Sequence, residues 1–134
     1  RADAHPGEEE GNSRMNRTTL ASLIPLARMI EERKLSALRA ARQSVADVRG
    51  WIAEVDAELR TARDQAAADG DAANLAAAER LALWTERARS NANLELAGRM
   101  VALNLARTGA REAFGKSLAL DELWTLHRQL PDRR

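Results

Sequence analysis

The chain has 134 residues, with 21 Lys and Arg against 20 Asp and Glu, no Cys, no Tyr, one Phe and three Trp. This length fits one domain, and the lack of Cys excludes disulfide scaffolds, thiolate metal sites and cysteine nucleophiles. Aromatic residues make up 3% of the chain, and a composition dominated by Ala, Leu, Glu and Arg favours long helices, with no apolar run near the roughly 18 residues of a membrane span.

Residues 1–17 form the first predicted segment, a disordered tail. Pro6 and two glycines interrupt regular structure there, and three consecutive Glu residues repel one another. The periodic part of the sequence starts close to Met15, and the Gly- and Glu-rich run before it would be encoded by codons resembling a bacterial ribosome-binding site. Residues 1–14 are therefore either an extension wrongly included before a natural start at Met15 or an ordinary flexible tail.

One long helix is predicted from about residue 19 to about residue 67. Pro25 either occupies its first turn, with Ser22 as the cap, or kinks it. From Leu38 onward, apolar residues recur at alternating steps of three and four, which is the spacing of a coiled-coil seam over about four heptads. The residues of this predicted seam are Leu38, Ala41, Val45, Val48, Ile52, Val55, Leu59, Ala62 and Ala66.

Residues 68–72 form the predicted turn, because Gly70 lies between two Asp residues and either Asp71 or Asn74 can cap the next helix. The second helix is predicted from about residue 73 to about residue 128, and residues 131–134 form a short tail. Its apolar stripe is less regular than the first seam and consists of Leu75, Leu81, Trp84, Ala88, Leu96, Met100, Leu103, Ala110 and Phe114.

Two long helices joined by a short turn must fold back on each other to bury these stripes. The predicted fold class is all-α, a long antiparallel two-helix coiled-coil hairpin over residues 18–130. With the turn centred near Gly70, the register places Ala27 opposite Phe114.

The same register places Lys34 opposite Arg107, which creates a polar layer. Two cations cannot share a dry layer without a large desolvation cost. We therefore expect either a shift of the seam at this point or a local separation of the two helices.

No pattern in the sequence indicates an active site. His5 and His127 are far apart in the sequence, and neither a phosphate-binding glycine loop nor a nucleophile motif occurs. Acids and Arg residues at i,i+4 spacing are typical of a solvated helix face. We expect no enzymatic activity, no cofactor and no bound metal.

Basic residues are concentrated towards both ends, where an antiparallel hairpin would bring them together. Residues 14–42 hold seven basic and two acidic residues, a net charge of +5, whereas residues 43–79 hold three basic and eight acidic residues, a net charge of −5. The basic end is either an ordinary coiled-coil surface or a docking site; nucleic acid is the weaker partner, because no aromatic residues lie among the Arg residues. The candidate partner-binding residues are Arg28, Arg33, Arg39, Arg42, Arg107, Arg111 and Lys116.

Large apolar residues continue past the polar layer towards both ends. They are either a continuation of the core or a surface that fits a partner's groove. These residues are Leu20, Leu23, Ile24, Leu118, Leu123 and Trp124.

Two segments carry a resemblance to a known family: LASLIPLARMIEER at residues 20–33 and REAFGK at residues 111–116. With these segments, its size from Met15 and its Arg-rich flanks, the chain resembles the FliJ/YscO-type stalk proteins of type III export over residues 15–130. The resemblance implies a coiled coil that inserts into a ring-shaped export ATPase and contacts the membrane export gate and substrate chaperones. The chain lacks the Tyr residues and Gln-rich faces of that family, so the resemblance assigns no gate-binding residue.

The sequence thus predicts a non-enzymatic central stalk or adaptor of a flagellar or virulence export ATPase complex. The ATPase ring, the export gate and substrate chaperones are the implied partners, and the expected location is cytoplasmic, peripheral to the inner-membrane export apparatus. Nucleic acid binding and direct membrane insertion are not expected. The alternative is a general coiled-coil interaction or chaperone protein that dimerises through exposed stripes.

Overall fold

Two α-helices make up nearly all of the structure, a computed structural model that describes the backbone over residues 6–130 and the side chains over residues 17–130. Helix α1 spans Pro6–Asp69 and helix α2 spans Ala72–Gln129. Over residues 6–130 the chain forms no β-strand. The predicted all-α helical hairpin is confirmed.

The helix boundaries agree with the prediction near the turn and differ at the other end of α1. This helix begins at Pro6, well before the predicted start near residue 19. Within the predicted tail over residues 1–17, the backbone is described only from residue 6 and the side chains only from residue 17. Residues 131–134 also lie outside the described residues. Both tails and the proposed start at Met15 therefore stay predictions.

Pro25 lies inside α1 and not in its first turn. The prediction of Ser22 as the cap is wrong, because the helix starts upstream of it. The hydroxyl of Ser22 instead donates a hydrogen bond to the carbonyl of Thr18 at 2.7 Å, one turn earlier in the same helix. A proline at this position has no N–H to donate, so one helical hydrogen bond of α1 is missing there.

The turn consists of Gly70 and Asp71. Gly70 has a φ of 61°, in the left-handed region that favours glycine, and its N–H donates to the carbonyl of Ala66 at 3.1 Å. This bond is the one that ends a helix in the αL motif. The carboxylate of Asp71 accepts a hydrogen bond from the N–H of Ala73 at 3.0 Å, so Asp71 is the cap that starts α2.

The chain divides into two compact units. The terminal unit comprises Arg1–Leu38 with Ala106–Arg134, and the turn unit comprises Arg39–Leu105. In the turn unit, every predicted seam residue of α1 is buried or half-buried, and Leu38 in the terminal unit is buried as well. The predicted seam of α1 is therefore confirmed.

The predicted stripe of α2 is correct at five positions and wrong at four. Leu81, Ala88, Leu96, Leu103 and Ala110 are buried or half-buried. The four exposed residues are Leu75, Trp84, Met100 and Phe114.

Small residues fill most of the α2 seam in place of these large ones. Ala78, Thr85 and Ala92 are at most 5% exposed in the turn unit. Small side chains let two helix backbones approach closely, so they take the central positions, and larger apolar residues on other sides of α2 stay outside. In the terminal unit Phe114 is 57% exposed, so the predicted packing of Ala27 against Phe114 is wrong.

Side-chain contacts across the helix pair establish the antiparallel arrangement in the turn unit. The Nη1 atom of Arg99 on α2 donates to the carbonyl of Ser44 on α1 at 3.0 Å. The Nη1 atom of Arg89 on α2 lies 3.3 Å from Oδ1 of Asp56 on α1. Residues later in α2 thus pair with residues earlier in α1.

The predicted conflict between Lys34 and Arg107 does not occur in the terminal unit. The side chain of Lys34 passes Gly109 instead, with its Cδ atom 3.5 Å from the point where a Cβ of residue 109 would lie. Because Gly109 has no side chain, the aliphatic part of Lys34 can pack there while the residue stays exposed. The space beside Gly109 thus allows the Lys34 side chain to fit next to α2 at the polar layer.

Val45 provides a test of the seam, because it is 4% exposed. We expect Val45→Asp to lower the free energy of unfolding by about 3 kcal/mol or more, since a buried carboxylate without a partner is costly. The control is Arg49→Asp, on an exposed position of the same helix, which should change stability by less than about 0.5 kcal/mol. Urea unfolding followed by circular dichroism measures both, and equal effects would contradict the seam.

The turn is tested by exchanging two glycines for alanine. We expect Gly70→Ala to lower the free energy of unfolding by about 1 kcal/mol, because an L-residue is strained at positive φ. Gly98→Ala is the matched change within a helix, with nothing within 4 Å of the added Cβ, and should raise stability by about 0.5–1 kcal/mol. A stabilising Gly70→Ala variant in urea unfolding would show that the turn is assigned wrongly.

Candidate interaction surfaces

The seven predicted basic residues are all exposed and are divided between the two units. Arg39 and Arg42 belong to the turn unit. The terminal unit holds the other five, which are Arg28, Arg33, Arg107, Arg111 and Lys116. The structure therefore brings five of the seven into one unit, and their role in binding stays a prediction.

Two grooves run between α1 and α2 in the terminal unit, and they share no residue. The apolar groove is lined by Leu23, Leu26, Ala27, Ile30, Lys116, Ala119 and Leu120. The charged groove is lined by Arg28, Glu31, Glu32, Leu35, Phe114, Ser117, Leu118 and Asp121. Since a pair of packed helices has one groove on each side, Lys116 and Arg28 lie on opposite sides of the unit.

The charged groove carries charges of both signs. The Nη2 atom of Arg28 lies 3.4 Å from Oδ1 of Asp121, and both side chains are well exposed. An ion pair of this kind contributes little to stability. It does offset the charge of Arg28, so the predicted basic residues do not form one uniformly positive patch.

The apolar residues beyond the polar layer divide between core and surface. Leu20 is buried, and Ile24 and Trp124 are half-buried, so these three continue the core. Leu23, Leu118 and Leu123 are 42%, 48% and 48% exposed, so these three are surface residues. Each of the two predicted alternatives therefore applies to part of the set.

In the turn unit, two tryptophans lie at one groove between the helices. Trp51 and Trp84 are 41% and 53% exposed and line this tryptophan groove together with Arg87 and Arg99. Arg99 is already engaged, because it donates to the Glu95 carboxylate and to a backbone carbonyl of α1. Tryptophan and arginine are enriched among the residues that dominate protein interfaces.

A further apolar stripe lies on the side of α2 that faces away from α1 in the turn unit. We call it the outer stripe: Leu83, Leu94, Val101 and Leu105, which are 60–74% exposed. Their spacings of eleven, seven and four residues place them on one side of a helix with 3.6 residues per turn. Sequence reasoning missed the outer stripe because it assigned one apolar stripe to α2, although its spacing was legible.

Two polar side-chain atoms are enclosed without a hydrogen-bond partner among the described residues, Oγ1 of Thr85 and Nδ1 of His127. A hydroxyl becomes a nucleophile when an adjacent base accepts its proton. Since the Thr85 hydroxyl contacts no acceptor, this arrangement does not activate it.

The described part of the chain has neither a metal-binding cluster nor a membrane-spanning helix. No group of three or more His, Cys, Asp or Glu residues there is placed to hold a metal ion. Neither helix has a described segment that is both long and apolar enough to cross a bilayer.

Comparison with known proteins yields no match to a family model, a curated protein or a solved structure. The resemblance to FliJ/YscO-type proteins is therefore not tested by any relative.

Thr85 provides a test of the buried hydroxyl, since it is 2% exposed. We expect Thr85→Val to raise the free energy of unfolding by about 1 kcal/mol, because it removes an unpaired buried polar group and keeps the side-chain shape. Thr61→Val, at an exposed position of the turn unit, is the control and should have almost no effect. Urea unfolding measures both, and a destabilised Thr85→Val variant would mean that the hydroxyl has a bonding partner.

Proposed function

We propose that this chain is a non-enzymatic interaction protein that serves as the central stalk or adaptor of a type III export ATPase complex. One observation carries the proposal: eighteen large apolar side chains of the described residues are exposed, although both helices pack along a seam. Several of them are grouped in grooves or along one side of α2, and apolar groups of this kind are typical of proteins that bind other proteins. The hairpin thus has more apolar surface than its own seam can cover.

The stalk role is supported by the kind of fold and by the placement of charge. A long two-helix hairpin is the architecture that the FliJ/YscO resemblance implies. Arg33, Arg107 and Arg111 are exposed in the terminal unit and can meet acidic groups of an ATPase ring. The export gate and substrate chaperones are further proposed partners, at a cytoplasmic site peripheral to the inner membrane.

The alternative is a general coiled-coil interaction or chaperone protein that dimerises. The outer stripe favours this alternative, because it is a second apolar line on the side of α2 that faces away from α1. Its residues have the spacing that another helix would need for packing along it. The two proposals differ in whether an export ATPase is bound.

The stalk proposal is tested by reversing charge in the terminal unit. We expect Arg33→Glu combined with Arg107→Glu and Arg111→Glu to weaken binding to the export ATPase of the same organism at least tenfold at low salt. ATPase stimulation should fall in parallel, and the difference should shrink at high salt, where exposed charges are screened. Arg and Glu have similar helix propensities, so circular dichroism should be unchanged.

The control reverses charge in the turn unit, with Asp64→Lys and Asp69→Lys. This variant should bind the ATPase and stimulate it like the wild type. If it loses stimulation while the Arg variant keeps it, the docking unit is assigned wrongly. If the wild type does not bind the ATPase, the stalk proposal is wrong.

A further inference from the structure

The apolar groove of the terminal unit has six apolar residues and one charged residue, Lys116, in its lining. Ala27 and Leu120 are half-buried and form its floor. Leu23, Leu26 and Ile30 stand along one side and are 42%, 52% and 52% exposed. A groove with a half-buried apolar floor and aliphatic walls is the shape that receives the apolar face of a helix.

The apolar surface continues from the groove along α2. Leu123 follows Lys116 by seven residues and Leu126 follows Ala119 by seven, which is about two helical turns, so both lie on the same side of α2 as these lining residues. These two leucines are 48% and 60% exposed. The surface from Ile30 to Leu23 on α1 is about 10 Å long at 1.5 Å per residue, which is two turns of a partner helix.

The charges beside the apolar groove are mainly positive. Lys116 is the one charged residue among those that line it, and Arg33 and Lys34 lie one turn beyond Ile30 on α1. Glu112, one turn before Lys116, is the acid that offsets part of this charge. Glu122, three residues after Ala119, is a second exposed acid near the apolar groove. The acids Glu31, Glu32 and Asp121 line the charged groove on the opposite side.

We infer that the apolar groove is a docking site for one amphipathic helix of a partner protein, with acidic residues beside its apolar stripe. The aliphatic residues would bury the stripe, and Lys116 with Arg33 and Lys34 would attract the acids. The inference goes beyond the proposed function and concerns the terminal unit whether or not the hairpin is an export stalk.

Charge and shape distinguish this occupant from two others. A second copy of the chain would present the same patch with the same excess of cations, so its charge would not complement this groove. A membrane surface accepts a convex apolar stripe on one helix, whereas this surface is a groove between two helices. Both alternatives are outcomes of the test below.

The test uses the full chain and two designed, fluorescently labelled helical peptides that share one leucine stripe. In one peptide Glu residues flank the stripe, and in the other Lys residues replace every Glu. Fluorescence anisotropy measures binding. We expect the Glu peptide to bind at least tenfold more tightly than the Lys peptide, with a difference that shrinks at high salt.

Matched variants locate the site. Leu26→Gln and Leu123→Gln should each weaken binding of the Glu peptide about tenfold. Their controls are Met29→Gln and Leu118→Gln, at positions with the same exposed fractions, 52% and 48%, outside the apolar groove; these should bind like the wild type. Lys116→Glu should abolish the preference for the Glu peptide. Because all five positions are exposed, circular dichroism should show an unchanged helix content.

Four results would overturn the inference. The first is equal binding of the two peptides, and the second is equal weakening of binding by the control variants. The third is a wild-type dimer in sedimentation that Leu123→Gln dissociates. The fourth is binding of the wild type to phosphatidylglycerol vesicles that Leu123→Gln abolishes. The last two would assign the groove to a second copy or to a membrane surface. The ATPase takes no part in this experiment, so its outcome is independent of the stalk proposal.

Discussion

The packing of small residues between the two helices is the constraint on which the other features depend. In the turn unit, Val45, Val48 and Val55 of α1 are buried in the same unit as the buried Ala78, Thr85 and Ala92 of α2. A seam of this kind brings the backbones close but buries little area per residue, because the stabilisation scales with the apolar area removed from water. No large side chain among the described residues is fully buried. Several large apolar residues of α2, among them Leu75, Trp84 and Met100, lie outside the seam, where a partner can reach them.

Each unit has its own candidate interaction surfaces. In the terminal unit, the two grooves of one helix pair differ in chemistry, since one is aliphatic with Lys116 beside it and the other carries Arg28 and Asp121 as an exposed ion pair. In the turn unit, the tryptophan groove and the outer stripe lie on different sides of α2. A hairpin with several chemically distinct faces can bind more than one partner, which is the property that a stalk or adaptor requires.

Lys34 and Gly109 show how a sequence that conflicts with a regular seam is accommodated. A register drawn from the turn alone places Lys34 against Arg107, yet the aliphatic part of Lys34 lies beside Gly109. Glycine lowers helix propensity by up to about 1 kcal/mol relative to alanine, and here the missing side chain provides the space for a lysine stem. Both α1 and α2 continue as helices past this position.

The sequence by itself determined the helical class, the turn at Gly70 and the seam of α1. Valine, isoleucine, leucine and alanine at alternating steps of three and four define one face of that helix, and a glycine between two acids indicates where the chain turns. Tertiary structure decided the seam of α2, because apolar residues occur on several sides of that helix. Small residues occupy the central positions of the seam because they let the two helix backbones approach each other closely. It also decided that Lys116 and Arg28 lie on opposite sides of the terminal unit. The charge distribution along the sequence cannot show on which side a basic residue lies, because that depends on which face of its helix the other helix of the hairpin covers.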